Sequence, residues 1–359
     1  MNATQHVTTL GQSLWLDNLS RDLIRDGTLA KLIAEDGVSG VTSNPSIFHN
    51  AVATSPHYAD DLLRLKAAEP EAERRYEALV VPDIQAACDL LLPVFERSDG
   101  KDGYVSLEVA PRWAYDTTHT VEEAHRLWAL VNRPNVLIKV PGTPEGVSAF
   151  EALTQLGINV NVTLLFSVAQ TQAVFDAYIR GLTLRAESGA DLRRSKAVAS
   201  LFLSRVDTLV DTQLTAIGTQ EALSLRGKAA VAMAKLAYQA YLHTFHGEAF
   251  AALARQGAAP QYLLWASSGV KNPDYNDLLY VEPLIGAETI NTLPDKTLAA
   301  LREHGQPALR LEEGIAEAEA QLAELARLGV DMDAVGNTLQ DEGVSLFEAA
   351  YQKLLQQAG

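Results

Sequence analysis

Short apolar runs alternate with stretches of helical period along this chain, and the alternation repeats about eight times. Candidate strands lie around Leu14–Leu16, Gly40–Ser43, Tyr104–Val109, Val136–Val140, Ile158–Leu164, Ala197–Phe202, Tyr262–Ala266 and Glu288–Thr292. A parallel neighbour needs a crossover long enough to hold a helix, so such a chain folds as a parallel sheet flanked by helices. Eight units suit a closed (β/α)8 TIM barrel better than an open doubly wound sheet. Spacing alone does not prove closure, so the open sheet remains an alternative. Pro82 fits the first position of a helix over 83–96. Thr120-x-x-Glu123 and Ser167-x-x-Gln170 read as capping boxes. The Ala-rich segment Arg226–Arg255 reads as a helix that stops at Gly257. The stretch between Asn44 and Val105 is too long for one crossover and predicts more than one helix.

Beyond Thr292 the strand pattern ends. Ile315, Ala318, Leu322 and Leu325 share one helical face, with Gly329 as a stop, and 341–357 repeats the character. The expectation is one barrel domain over 1–359, with a helical tail at 300–359 packed on it. A length of 359 residues fits a single α/β barrel.

The net charge of −16 argues against nucleic acid and anionic membrane as partners, since both need a basic surface. It leaves room for a small phosphorylated ligand held by a few local cations. Cys88 is the single cysteine, so no disulfide forms within the chain. No basic-then-apolar leader is visible at the start, and no apolar run approaches the ~20 residues of a membrane span. The expected location is cytoplasmic, as a monomer or homodimer.

Lys139 is a lone cation in the apolar run Val136-Leu-Ile-Lys-Val140. Lysine is rarely buried without a partner, and loss of hydration favours the neutral amine, a nucleophile towards carbonyls. Nearly every other predicted strand also ends in a polar residue, and catalytic groups of barrels sit at that end. Strand one ends at Asp17, strand two at Thr42-Ser-Asn44-Pro45 and strand three at Glu108. Strand five carries Asn159, Asn161 and Thr163, which alternate onto one face. Strand six gives Ser200, Phe202 and Arg205, and strand seven leads to Lys271. Taken singly, Asp17 also fits a helix cap, Asn44-Pro45 a turn and Arg205 a surface ion pair. Together they place an amine, two carboxylates, amides and hydroxyls at one rim. That set suits imine chemistry on a ketone, with a carboxylate moving protons and cations holding a phosphate.

These segments resemble transaldolase, and the resemblance covers nearly the whole chain. It rests on Trp15-Leu-Asp17, Val41-Thr-Ser-Asn44-Pro-Ser-Ile-Phe48, Val105-Ser-Leu-Glu108, Leu137-Ile-Lys139-Val-Pro141, Asn161-Val-Thr163-Leu-Leu-Phe-Ser167 and Ser200-Leu-Phe202-Leu-Ser204-Arg205-Val-Asp207. The resemblance implies a class I, metal-free enzyme of the pentose phosphate pathway on a (β/α)8 barrel. Such an enzyme moves a dihydroxyacetone unit from sedoheptulose 7-phosphate to glyceraldehyde 3-phosphate, giving erythrose 4-phosphate and fructose 6-phosphate. By the same resemblance Lys139 is the Schiff-base nucleophile. Glu108 is the acid/base acting through a water near Thr163, and Asp17 is the base at the hydroxyl of the cleaved bond. Asn44 and Asn161 would bind the dihydroxyacetone hydroxyls, Ser200 and Phe202 would line the pocket, and Arg205 would hold the phosphate. Lys271 stands where the better-known branch of the family has arginine, and the long helical tail also marks a different branch.

Three other readings compete. An aldolase that releases dihydroxyacetone from fructose 6-phosphate would use the same lysine. His243-x-x-His246 with Glu248 has a loose metal-ligand spacing but no fuller motif, so no metal is expected. A sugar-phosphate-binding barrel without turnover is the third. The chain shows no phosphate loop and no dinucleotide fingerprint after a strand, so no cofactor is expected.

Overall fold

The computed structural model describes residues 2–359. Strands β1 (Gln12–Leu16), β2 (Val38–Thr42), β3 (Val105–Glu108), β4 (Val136–Pro141), β5 (Val160–Leu165), β6 (Ala197–Phe202), β7 (Tyr262–Ala266) and β8 (Thr289–Leu293) run in chain order. They close on themselves, all pairs parallel, with β8 bonded to β1. The expected closed barrel is therefore the fold, and the open-sheet alternative falls. Most strand residues are buried, as a parallel sheet covered on both faces requires.

The register sets what stands beside what at the carboxyl rim. Glu108 pairs with Lys139 across β3 and β4, Lys139 with Asn161, and Pro141 with Thr163. Deeper in the barrel the fully buried Trp15 fills the interior, and a Cβ on Gly40 of β2 would overlap its indole ring. Trp15 Nε1 and Ser13 Oγ donate to the Asp102 carboxylate at 2.9 and 2.5 Å, which ties the floor of the barrel together.

The helices depart from expectation in three places, each for a local reason. Pro82 lies inside the helix Ala72–Arg97 and does not start it. Proline cannot supply the N–H that the preceding turn accepts. One residue along from the Ala78 carbonyl that loses its donor, the Arg21 guanidinium bonds Leu79 O and Asp83 Oδ1, each at 2.9 Å. Thr120 is also interior. The cap of the helix Thr117–Val131 is Asp116, whose carboxylate accepts from His119 N, while Thr120 Oγ1 donates to Trp113 O. The segment expected as one helix over 226–255 breaks at His246-Gly247 into Ala229–Phe245 and Glu248–Ala254. Ser167 does cap the helix Val168–Glu187.

The helix Ala72–Arg97 is long and apolar enough to cross a membrane, which corrects the expectation that no such run exists. Here its apolar side lies in the fold, with Val80, Ile84, Cys88 and Leu91 buried, and it carries the buried Arg75, Glu77 and Asp83. After β8 come the helices Asp295–His304, Ile315–Arg327 and Met332–Ala358. The last of these packs on the helices Pro45–Thr54 and Ala72–Arg97 and on β5.

Candidate active site

A cavity of about 510 Å³, open to solvent, lies at the carboxyl ends of the strands. Lys139 from the middle of β4 reaches into it and is only 5% exposed. Its Nζ donates to Ser43 O at 3.0 Å and lies 3.6 Å from Glu108 Oε2. Ser43 is itself held, because its hydroxyl donates to Ser106 O at 2.7 Å. The amine is thus aimed by backbone and not left to sample rotamers.

Glu108 is the register neighbour of Lys139, and its side chain is equally enclosed. Burial pushes its carboxyl up to about 7, against the opposing pull of the Lys139 charge. Asp17, just past β1, is not a helix cap; Ser20 caps the helix that follows. Asp17 Oδ1 accepts from Thr42 Oγ1 at 2.7 Å, and that hydroxyl also meets Thr292 Oγ1 at 2.6 Å. Burial raises the Asp17 carboxyl, while the Thr42 hydrogen bond and the Lys139 charge lower it.

Asn44 both caps and lines. Its Oδ1 accepts from Ile47 N at 3.0 Å, and its side chain borders the cavity, so the amide nitrogen is the group left to donate. Thr163, Ser200, Phe202 and Arg205 also line the cavity. Ser200 Oγ donates to Asn161 Oδ1 at 2.6 Å, and Asn161 Nδ2 donates to Ser106 Oγ at 3.1 Å. Asn161 is fully buried and outside the lining, so it holds the serines from beneath. Asn159 lies deeper still and accepts from Lys196 N. Asn159, just before β5, and Asn161 and Thr163 within it do not share a depth.

Lys271 is exposed and is not among the residues that border the cavity. Its charge still reaches Asp17 and lowers that carboxyl. The chain leaves β7 through Ser267, at φ +53°, and turns outward before Lys271.

Three buried polar atoms at this end have no hydrogen-bond partner within the protein: Thr163 Oγ1, Arg205 Nη1 and Glu108 Oε2, the last with only the ion pair to Lys139. Buried polar groups are nearly always paired, so Thr163 and Arg205, which line the cavity, mark a site built for a polar ligand, with Glu108 beside Lys139 at its edge. Arg205 also lies 5.8 Å from the Phe202 ring and 6.0 Å from the Phe347 ring. A guanidinium framed by two rings presents a directional fork for a phosphate or carboxylate.

Sequence reasoning assigned no site role to Thr42, Thr292, Ser267 or Phe347, which all line the cavity. The same strand-end rule reaches Thr42 and Thr292. Nothing local in the sequence points to Phe347, which arrives from the last helix. His246 pairs with Glu288 at 2.6 Å, away from any acidic cluster. Among the described residues the one grouping close enough to share an ion is Glu73, Glu77 and Glu123, and Arg112 and Arg126 already hold these carboxylates.

A family profile described as Transaldolase/Fructose-6-phosphate aldolase matches residues 14–358. A protein of Thiobacillus denitrificans named transaldolase is 78% identical over 359 residues, the whole of both chains. One from Neisseria meningitidis, of the same name, is 48% identical over 99% of each chain. Another from Mycolicibacterium smegmatis, also named transaldolase, is 46% identical over 97% of this chain and 94% of its own.

Proposed function

This chain belongs to the transaldolase/fructose-6-phosphate aldolase family and is an enzyme of the transaldolase kind; from that premise we propose that Lys139 forms the imine on which a three-carbon ketose fragment is carried. The observation that carries the residue assignment is the enclosed amine of Lys139, 3.6 Å from a carboxylate that titrates near 7. The amine attacks the ketone carbon of the donor, sedoheptulose 7-phosphate or fructose 6-phosphate. Glu108 shuttles protons through a water that Thr163 Oγ1 positions, and the carbinolamine loses water to become the imine. Asp17 takes the proton of the hydroxyl on the far carbon of the bond that breaks, the carbon that becomes the aldehyde. That bond's electron pair moves into the imine, an aldehyde leaves, and an enamine of dihydroxyacetone stays on Lys139. Addition of this enamine to glyceraldehyde 3-phosphate or erythrose 4-phosphate, followed by hydrolysis, completes the transfer.

Asn44 and Ser200 border the space the fragment would fill, and Asn161 holds Ser200 in place. Arg205, at the same mouth, is the cation for the distal phosphate. Lys271, exposed beyond the lining, adds long-range attraction only. We place the reaction in the cytoplasm, where charged sugar phosphates are retained because they do not cross lipid.

Borohydride added during incubation with fructose 6-phosphate tests this reading. The expected result is a stable adduct of three carbons on the peptide that contains Lys139, with loss of activity. An adduct on any other lysine, or none, would overturn the assignment.

A further inference from the structure

The last helix, Met332–Ala358, is built into the active site. Gly336, Gln340, Gly343, Phe347 and Tyr351 recur at spacings of three and four and so form one stripe. The two glycines allow close approach to the rim. A Cβ on Gly336 would lie 3.0 Å from Ser167 Cβ, and one on Gly343 would lie 2.8 Å from Leu164 Cδ2. Between them Gln340 Nε2 donates to Gly142 O at 2.8 Å and to Leu164 O at 3.0 Å, the exits of β4 and β5. Leu164 holds φ +59°, an expensive conformation for a branched residue, directly after Thr163. Further along, Tyr351 Oη donates to Glu73 Oε1 at 2.7 Å. Held on both sides, Phe347 is 7% exposed and lines the cavity, its ring 5.8 Å from Lys139 Nζ and 6.0 Å from the Arg205 guanidinium carbon.

This apolar ring lies about 6 Å from each of the two cations that would grip opposite ends of the substrate. We propose that Phe347 is a specificity-determining residue that keeps water from the Lys139-bound enamine, so that the three-carbon unit passes to an aldehyde and is not released. The inference rests on the imine reading above and deepens it. The enamine has two fates. It adds to the carbonyl of an acceptor, forming a carbon–carbon bond. Otherwise its carbon takes a proton, water adds across the C=N bond, and the C–N bond breaks to give free dihydroxyacetone and the amine. The routes part at the enamine carbon: release needs a proton delivered there, and a fixed aromatic cover keeps solvent from delivering it, whereas the water at Thr163 serves imine formation and hydrolysis in both routes. Gln340 and Gly343 are positioning residues that seat this cover on the rim.

The test compares the parent chain with Phe347→Ala and Phe347→Leu on fructose 6-phosphate, measuring dihydroxyacetone released against fragment transferred to glyceraldehyde 3-phosphate. The ratio is independent of how much enzyme is folded, so a merely structural role for Phe347 leaves it unmoved. Release relative to transfer is expected to rise roughly tenfold in Phe347→Ala and less in Phe347→Leu, since the gap lets solvent protonate the enamine carbon. Should Phe347→Ala fail to fold, Phe347→Leu and Gly343→Ala carry the test, each expected to move the ratio in the same direction. An unchanged ratio, in variants that borohydride still labels at Lys139, overturns the role of Phe347. Failure of the label in the parent chain overturns the imine reading instead.

Discussion

At the scale of single residues the chemistry turns on one enclosed pair. Lys139 and Glu108 are register neighbours on β3 and β4, so strand pairing alone brings them together. Burial raises the Glu108 carboxyl to about 7, where it both takes and gives a proton near neutral pH. The rate of imine formation should therefore rise with pH to a plateau above about 7. Glu108→Gln should flatten that limb and slow the step by roughly 10²–10⁴-fold, measured by quenching with borohydride across a pH series. The sign for stability is the opposite. A folded-state value above the usual 4.5 means the native chain binds the proton more tightly than the unfolded one. The Glu108 contribution is fully present below about 4.5 and is lost as pH rises through about 7. Urea midpoints over that interval should fall less steeply in Glu108→Gln than in the parent chain. The polar strand ends were legible because a lone polar residue closing an apolar run is conspicuous. The role of Asn161 was not, because alternation assigns a face and says nothing about depth. Only the hydrogen bonds to Ser106 and Ser200 place it beneath the lining.

At the scale of elements the strands followed the sequence closely, since short apolar runs in this periodic setting have few other fates. Helix starts followed less well. Asp116 outcompeted Thr120 as a cap because a cap is chosen by where the chain turns, and the turn at Pro111–Trp113 lies upstream. Pro82 lies in a helix interior beside the Leu79 carbonyl, to which Arg21, distant in sequence, donates. Strand packing also depends on one small residue. Gly40 lies against the Trp15 ring with no room for a methyl group. Gly40→Ala should cost about 1–3 kcal/mol through overpacking of the barrel interior, read as a lower urea midpoint with an unchanged slope.

At the scale of the whole molecule, 45 acidic against 29 basic side chains leave a strongly negative surface around a few enclosed cations. Self-repulsion of that surface opposes folding and is screened by salt. Raising sodium chloride from about 0.02 to about 0.5 M at pH 7.5 should raise the melting temperature by a few degrees. No change, or a fall, in calorimetry would show that local ion pairs such as Arg21–Asp83 outweigh the global field.

The order of the strands, their polar ends and the identity of the lysine were written locally, in residue type and spacing. Closure of β8 onto β1, which brings Thr292 to Thr42 and Asp17, was not, because pairing across 277 positions depends on the twist and stagger of every strand between. Nor was the seat of Phe347. A helix pattern shows which residues share a stripe, but which surface that stripe meets is settled by packing, here by two glycines and a glutamine that fit the exits of β4 and β5.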